Sequence, residues 1–139
     1  HACVMARINE ICPFVQVGIR SMDREELDGI HPDRLVLAQD LHYHGLAAAI
    51  DCLDKLSDTV YITIDLDVLD PSWMPSTGTP EPGGIDWYLL NKIIQYVVSE
   101  KKIVGMDVVE LLPQQHNRAP DFLAAKLIYR SLSMILGDH

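Results

Sequence analysis

Basic residues are scarce in this chain of 139 residues: eleven Lys and Arg stand against twenty Asp and Glu, for a net charge of -9. That balance repels phosphate backbones and anionic lipid, which argues against nucleic acid and membrane partners and favours small cations and metal ions. Cysteine is equally sparse. Cys3, Cys12 and Cys52 are odd in number and show no C-x-x-C spacing, so neither a disulfide framework nor a zinc knuckle is expected, and a reduced, cytoplasmic setting is. No segment approaches the ~20 apolar residues needed to span a bilayer, and no basic stretch precedes an apolar one as in a secretory leader. Internal repeats, linkers and low-complexity tracts are absent. So is a capping residue before the helix-like stretch Ala2 to Glu10; starting at His1, the sequence reads like a chain entered part-way.

What is present is a core. Hydrophobic residues make up 48% of the chain, enough for one domain of common size. The helix at 2–10 should stop before Pro13, which restricts its predecessor to extended conformations. Phe14, Val15, Val17 and Ile19 then form a strand that ends in Gly18-Ile19-Arg20-Ser21. The acidic segment Asp23 to Asp33 is expected to be connection with a helical turn at Arg24 to Leu27, and Arg34 to Ala38 a second short strand. Leu46, Ala49, Ile50, Leu53 and Leu56 recur at helical spacing and mark the buried face of a helix from Gly45 to Ser57. Thr59 to Ile64 is almost continuous in β-formers, the pattern of a central strand covered on both faces. Four prolines and three glycines between Pro71 and Gly84 exclude regular structure there and predict a long, stiff loop, a length that usually signals function.

Asp86 can cap the next helix, whose stripe is Leu89, Leu90, Ile93, Ile94, Val97 and Val98, with Lys101 and Lys102 at its C-terminal dipole. Ile103 to Val109 is a further buried strand, ending at Glu110. Pro120 and Gly137 bracket a long last helix, expected to turn Phe122, Ala125, Tyr129, Leu132 and Leu136 inward. Strands alternating with helices imply right-handed β-α-β crossovers and an α/β fold: a three-layer αβα arrangement around a mostly parallel sheet. In such sheets the working groups lie beyond the carboxyl ends of the strands. Arg20, Asp65, Asp67 and Glu110 all fall there.

On an extended strand, residues i and i+2 point to one side, which would set the Asp65 and Asp67 Cα atoms about 7 Å apart with both carboxylates on one face. Hard oxygen ligands in that arrangement suit one divalent ion of the Mg or Mn kind, or a bridged pair. The alternative for a bare D-x-D is a solvated pair, or a cap on the following turn. Context favours metal: the preceding strand is strongly apolar, Asp70-Pro71 leads directly into the stiff loop, and the next strand delivers Glu110. Three acids converging without a basic partner in sequence repel one another unless a cation is present.

Ile64-Asp65-Leu66-Asp67-Val68-Leu69-Asp70-Pro71, then Thr77-Gly78-Thr79-Pro80 with Gly83-Gly84, then Gly105-Met106-Asp107-Val108-Val109-Glu110 closely resemble the C-terminal half of the ureohydrolases. That family includes arginase, agmatinase and related guanidino hydrolases. The resemblance covers essentially the whole chain and implies the arginase-like fold, with only its C-terminal half here. It further implies that Asp65 and Asp67 are ligands of a binuclear Mn2+ centre whose bridging hydroxide attacks a guanidinium carbon, releasing urea and an amine. By the same resemblance Glu110 pairs with the substrate guanidinium, Thr79 lies near the substrate, and Asp70 and Asp107 support the site. His1-Ala2-Cys3-Val4-Met5 resembles the segment carrying the active-site histidine of agmatinase-type members, so His1 is expected to contact substrate or transfer a proton. A homo-oligomer, trimer or hexamer, is implied too.

The family's earlier metal motifs, Gly-Gly-Asp-His and Asp-x-His-x-Asp, occur nowhere in this chain. Two aspartates alone do not hold two ions tightly, so the remaining ligands are expected from a half preceding His1, and the chain by itself is expected to be inactive. The alternative is a non-catalytic, ureohydrolase-like binding subunit. Gly18-Ile19-Arg20-Ser21 is closer to the agmatinase pattern than to the arginase one, where an acidic residue usually follows the arginine, although Asp23 could take that place in a shifted register. Hydrolysis of agmatine to putrescine and urea is therefore favoured over arginine or another guanidino acid. His42-Tyr43-His44 could ligate metal from a strand but is expected in a surface loop; His31, His116 and His139 are expected in solvent. Cys3 is expected as a small buried thiol, Trp73 and Trp87 as packing for the loop, and Arg118 as a surface cap or salt-bridge partner.

Overall fold

Residues 59–65 do fold as a strand, and the helix and strand that follow return to pair with it. A computed structural model of the protein describes residues 3–22 and 31–137; His1, Asp23, His139 and the turn expected at Arg24 to Leu27 lie outside the described residues. In chain order the elements are α1 (Cys3–Asn9), β1 (Gln16–Ile19), β2 (Leu35–Leu37), α2 (Ala38–His44), α3 (Ala47–Leu53), β3 (Thr59–Asp65), α4 (Trp87–Glu100), β4 (Lys102–Val109) and α5 (Ala119–Leu136). None of the helices is long and apolar enough to cross a membrane, among the described residues.

The strands are parallel, as the alternation predicts, but among the described residues they form two separate two-stranded ladders, β1 with β2 and β3 with β4. The longer ladder runs from Thr59 opposite Lys102 to Asp65 opposite Val109, with one register shift after Val60. The shorter pairs Gln16 with Leu35 and Ile19 with Leu37, and skips a residue at Gly18. There the backbone has φ 89°, and a Cβ would stand 2.5 Å from Val68 Cγ2. Only glycine satisfies both demands.

The core joins α2, α3 and α4 to the inward face of β3: Leu41, Leu53, Val60, Ile64, Leu66, Met74, Ile93 and Leu127 are all buried in it. α4 matches its stripe. Leu90, Ile93, Ile94 and Val97 are buried, and Asp86 caps it by accepting from Leu89 N at 2.7 Å. The helix expected from Gly45 to Ser57 is shorter and preceded by another: α2 ends at Gly45, with φ 60°, and α3 follows. Ala49 and Leu53 nevertheless face the core as predicted.

Two expectations about burial are overturned. β3 is covered on one face only. Val60 and Ile64 point in, while Tyr61 stays 59% exposed and Thr63 and Asp65 share its open side. Tyr and Thr are β-formers that tolerate water, so a run rich in them conceals an alternating strand. On β4 the register shift leaves Val104 outside, 61% exposed. The last helix is inverted. Pro120, Ala124, Leu127 and Ser131 are buried, whereas Phe122, Tyr129 and Leu136 face solvent at 72%, 68% and 75%. Both stripes have helical period. The one made of small residues lets α5 approach α4 and β4 closely, and it is the one that packs.

Candidate active site

Strand β3 ends at Asp65, and the chain tightens at once into a 3-10 turn at Leu66–Val68. Asp65 caps this turn: its Oδ1 accepts from the backbone N of Asp67 at 3.1 Å. The strand-based spacing of the two aspartates therefore does not apply, because Asp67 already lies in the turn. The pair is instead fixed by a short backbone-to-carboxylate bond. Although Asp65 keeps solvent access, burial raises its carboxyl to about 6, and the nearby negative charges of Asp67 and Glu110 push the same way against the lowering effect of the Asp67 amide. Such a group is relieved by a divalent cation, which is the property expected of a carboxylate ligand.

Glu110 lies one residue past β4, opposite the end of β3. Its backbone is left-handed, φ 67°, and it is the one non-glycine residue with positive φ among the described residues. This conformation costs an L-residue about 1 kcal/mol. It turns the chain out of the strand and carries the carboxylate over the loop, where Oε2 lies 3.9 Å from the position a Cβ at Gly78 would occupy.

The loop from 71 to 84 contains no helix or strand, as its composition predicts, yet it is not a flap in solvent: Met74, Ser76 and Thr77 are buried. Asp70 closes its base. One carboxylate oxygen accepts from Ser72 N at 3.0 Å and Ser72 Oγ at 2.6 Å, the other from Gly83 N at 3.0 Å. These bonds, the Ser72 hydroxyl first, hold the carboxyl below its ordinary range. Gly84 is pressed against the same base, where a Cβ would meet Asp70 N at 2.4 Å. Beyond Glu110, Leu112 N donates to Ser76 O at 2.8 Å and ties the second strand end to the loop. Asp70 thus organises the loop. Asp107 lies on the open face of β4, accepting from Thr63 Oγ1 at 2.6 Å and Tyr61 Oη at 3.0 Å.

A cleft of about 110 Å3 opens where these pieces meet the end of β1, lined by Gly18, Ile19, Arg20, Ser21, Asp67, Thr79 and Glu81. Of the residues named from sequence, Arg20, Asp67 and Thr79 line it, Asp65 is bonded to Asp67, and Glu110 stands beside Gly78. Sequence reasoning did not single out Glu81, and it named Ser21 only within the Gly18-Ile19-Arg20-Ser21 motif. A charged residue held between Pro80 and Pro82 was the available signal for Glu81. His42 and His44 occupy the last turn of α2, exposed, rather than a loop, and His31 and His116 are exposed as expected. Arg118 precedes α5 without capping it through its side chain; Asn117 Oδ1 accepts from Ala119 N instead. Among the described residues no group of three or more His, Cys, Asp or Glu side chains is arranged to hold a metal ion. Asp65 and Asp67 fit part of such a site, not all of it.

Comparison with known proteins supplies a family for this fold. Residues 1–133 match the arginase family. An N(1)-aminopropylagmatine ureohydrolase of Thermus thermophilus is 41% identical over 137 residues, covering 96% of this chain and 46% of that protein. An agmatinase of Pyrococcus horikoshii is 34% identical over 137 residues, covering 96% and 47%. The crystal structure of the agmatine ureohydrolase of Thermoplasma volcanium superposes with a TM-score of 0.84 at 32% identity, over 98% of this chain and 47% of that one. The chain spans about half the length of the curated relatives it matches. With the family match running nearly end to end and the fold superposing over almost every residue, this chain belongs to the arginase family.

Proposed function

We propose that this chain carries part of the active site of a metal-dependent hydrolase of guanidino compounds, with agmatine as substrate and putrescine and urea as products. The observation that carries the reading is the convergence of the Asp65–Asp67 pair and Glu110 on one end of a parallel ladder, beside a loop that is anchored at both ends. In this reading Asp65 and Asp67 hold Mn2+, and the other ligands of a binuclear centre come from a segment outside this sequence. When bound, the metal supplies Lewis acidity and an activated water at neutral pH.

The chain's own residues do the binding and orienting. Glu110 offers a planar acceptor that matches the fork of a guanidinium and fixes the plane of its carbon. Thr79, in the cleft beside Asp67, contacts the substrate, and His1 contacts it or moves a proton. Strain in the Glu110 backbone and repulsion at Asp65 are both features of groups held for binding rather than for stability. A cytoplasmic homo-oligomer, trimer or hexamer, completes the proposal.

A second reading differs only in the tail of the substrate. The 41% identity to an N(1)-aminopropylagmatine ureohydrolase supports a longer, more cationic compound, and Glu81, a residue of the cleft, would be the acid to meet an extra ammonium group. Urea release by the manganese-loaded natural protein, assayed with agmatine, N(1)-aminopropylagmatine and arginine, tests both. Release from one of the first two, reduced at least about 100-fold in Asp67→Ala, is the expected result. No urea from any of the three would leave the chain as the non-catalytic module.

A further inference from the structure

We propose that Arg20 is a positioning residue: its guanidinium fastens the carboxyl end of the short ladder to the turn that bears Asp67 and to the loop that bears Thr79, and so sets the geometry of the metal-binding carboxylates. This rests on the reading of Asp65 and Asp67 as ligands given above.

No ladder joins β1 to β3 or β4 among the described residues, so the relation between the two strand ends depends on contacts made beyond the sheets. Two such contacts are present. Gly18 packs its bare Cα against Val68 in the turn. Arg20 Nη2 donates to the carbonyl of Asp67 at 2.6 Å and to the carbonyl of Glu81 at 2.7 Å, and Nε donates to the latter at 3.2 Å. One nitrogen thus bridges the turn and the loop, while the side chain is rooted one residue past β1. Both acceptors are backbone oxygens, and Arg20 makes no salt bridge among the described residues. The contact therefore fixes main chain without neutralising Asp65, Asp67 or Glu110, which stay available to a cation. A charged donor on a carbonyl is among the stronger hydrogen bonds, and here it acts on the residue whose amide also holds Asp65 Oδ1. The two bonds flank the Asp67 Cα, so a shift of that residue's main chain carries its own carboxylate and the amide that Asp65 accepts from.

The geometry makes the substitution pattern specific. Because the two carbonyls converge on one nitrogen, a lysine ammonium with three donors can serve both, whereas a glutamine amide is shorter and uncharged. In the natural full-length protein, stripped of metal and titrated with Mn2+, Arg20→Gln is expected to weaken binding about tenfold and Arg20→Lys less than about threefold. Tyr96→Phe, which removes a 2.6 Å bond to Asp54 on the α4 side of the fold, serves as a stability control and is expected to bind Mn2+ as the parent does. Parent-like affinity in Arg20→Gln overturns the inference, as does an equal loss in Tyr96→Phe. If Arg20→Gln does not fold, hydrogen exchange on the parent decides: Mn2+ should slow exchange at 20–22 and 81–85 as well as at 66–69, and protection confined to 66–69 overturns it. A parent protein that binds no Mn2+ overturns the metal reading itself, and this inference with it; a parent that binds Mn2+ while Arg20→Gln binds equally well overturns only the role of Arg20.

Discussion

The two ladders of this molecule divide the work unequally. The long one, β3 with β4, pairs along all seven residues of β3 across one register shift and delivers Asp65 and Glu110 from its carboxyl end. The short one, β1 with β2, pairs only four residues with three, is broken at Gly18, and delivers Arg20. A strand held along its length can place an acid by itself. A strand of four residues cannot, and its functional residue must be placed by what it touches. Acids on the rigid ladder and a donor on the dependent one make the site a joint between the two, so damage to the short ladder should be felt at the long one.

Each ladder contains one glycine under a neighbouring side chain, which lets the comparison be tested in kind. The largest effect is expected at Gly18→Ala. The added methyl is placed 2.5 Å from Val68 Cγ2 on a backbone with φ 89°, combining overpacking with a left-handed penalty, and the expected loss is about 3 kcal/mol by denaturant unfolding. Because Val68 belongs to the turn that carries Asp67, Mn2+ affinity should fall too.

Asp65→Asn probes the end of the long ladder and should act in the opposite direction. The folded carboxyl titrates near 6, above an unfolded value of about 3.9. Between those values the folded state holds more protons, so stability falls as pH rises from about 4 through 6. The asparagine variant lacks this fall. At pH 8 without metal it should be more stable than the parent by about 1 kcal/mol, limited by solvent screening at an exposed group, while binding Mn2+ poorly. A parent whose metal-free stability is flat over that range would show that burial and the neighbouring charges do not raise the Asp65 carboxyl.

The smallest effect is expected at Gly105→Ala in the long ladder. Here a Cβ would meet the Tyr61 ring at 2.7 Å, but the glycine has ordinary φ and the ring is largely in water, held at its far end by the hydroxyl's bond to Asp107. The loss should stay below about 1 kcal/mol by the same measurement. Equal losses at Gly18 and Gly105 would erase the distinction between the dependent ladder and the rigid one.

Much of this architecture is legible in the residues because some segments carry only one pattern. The stripe of α4 consists of large aliphatics with polar residues between them, and a single face can be buried. The loop announces itself through Pro71, Pro75, Pro80 and Pro82. Asp65 and Asp67 stand out because an apolar run has no reason to end in carboxylates. Elsewhere two patterns compete. In α5, Phe122, Tyr129 and Leu136 form a more hydrophobic stripe than Pro120, Ala124 and Ser131, but closeness of approach, which sequence periodicity does not measure, picks the second. The split into two ladders was not legible, since a strand pattern names a strand and not its partner. Nor was the turn at Leu66–Val68, whose residues also suit a strand. Arg20 could be placed at a strand end by inspection, but its acceptors are carbonyls of residues 47 and 61 positions away, and a main-chain oxygen has no letter in a sequence.

The left-handed backbone at Glu110 has a practical side. Glycine would sit there without strain, so any procedure that ranks substitutions by folding stability will favour removing the carboxylate that stands beside Gly78. Engineering this chain for robustness would, step by step and for sound thermodynamic reasons, select against the guanidinium contact proposed for Glu110.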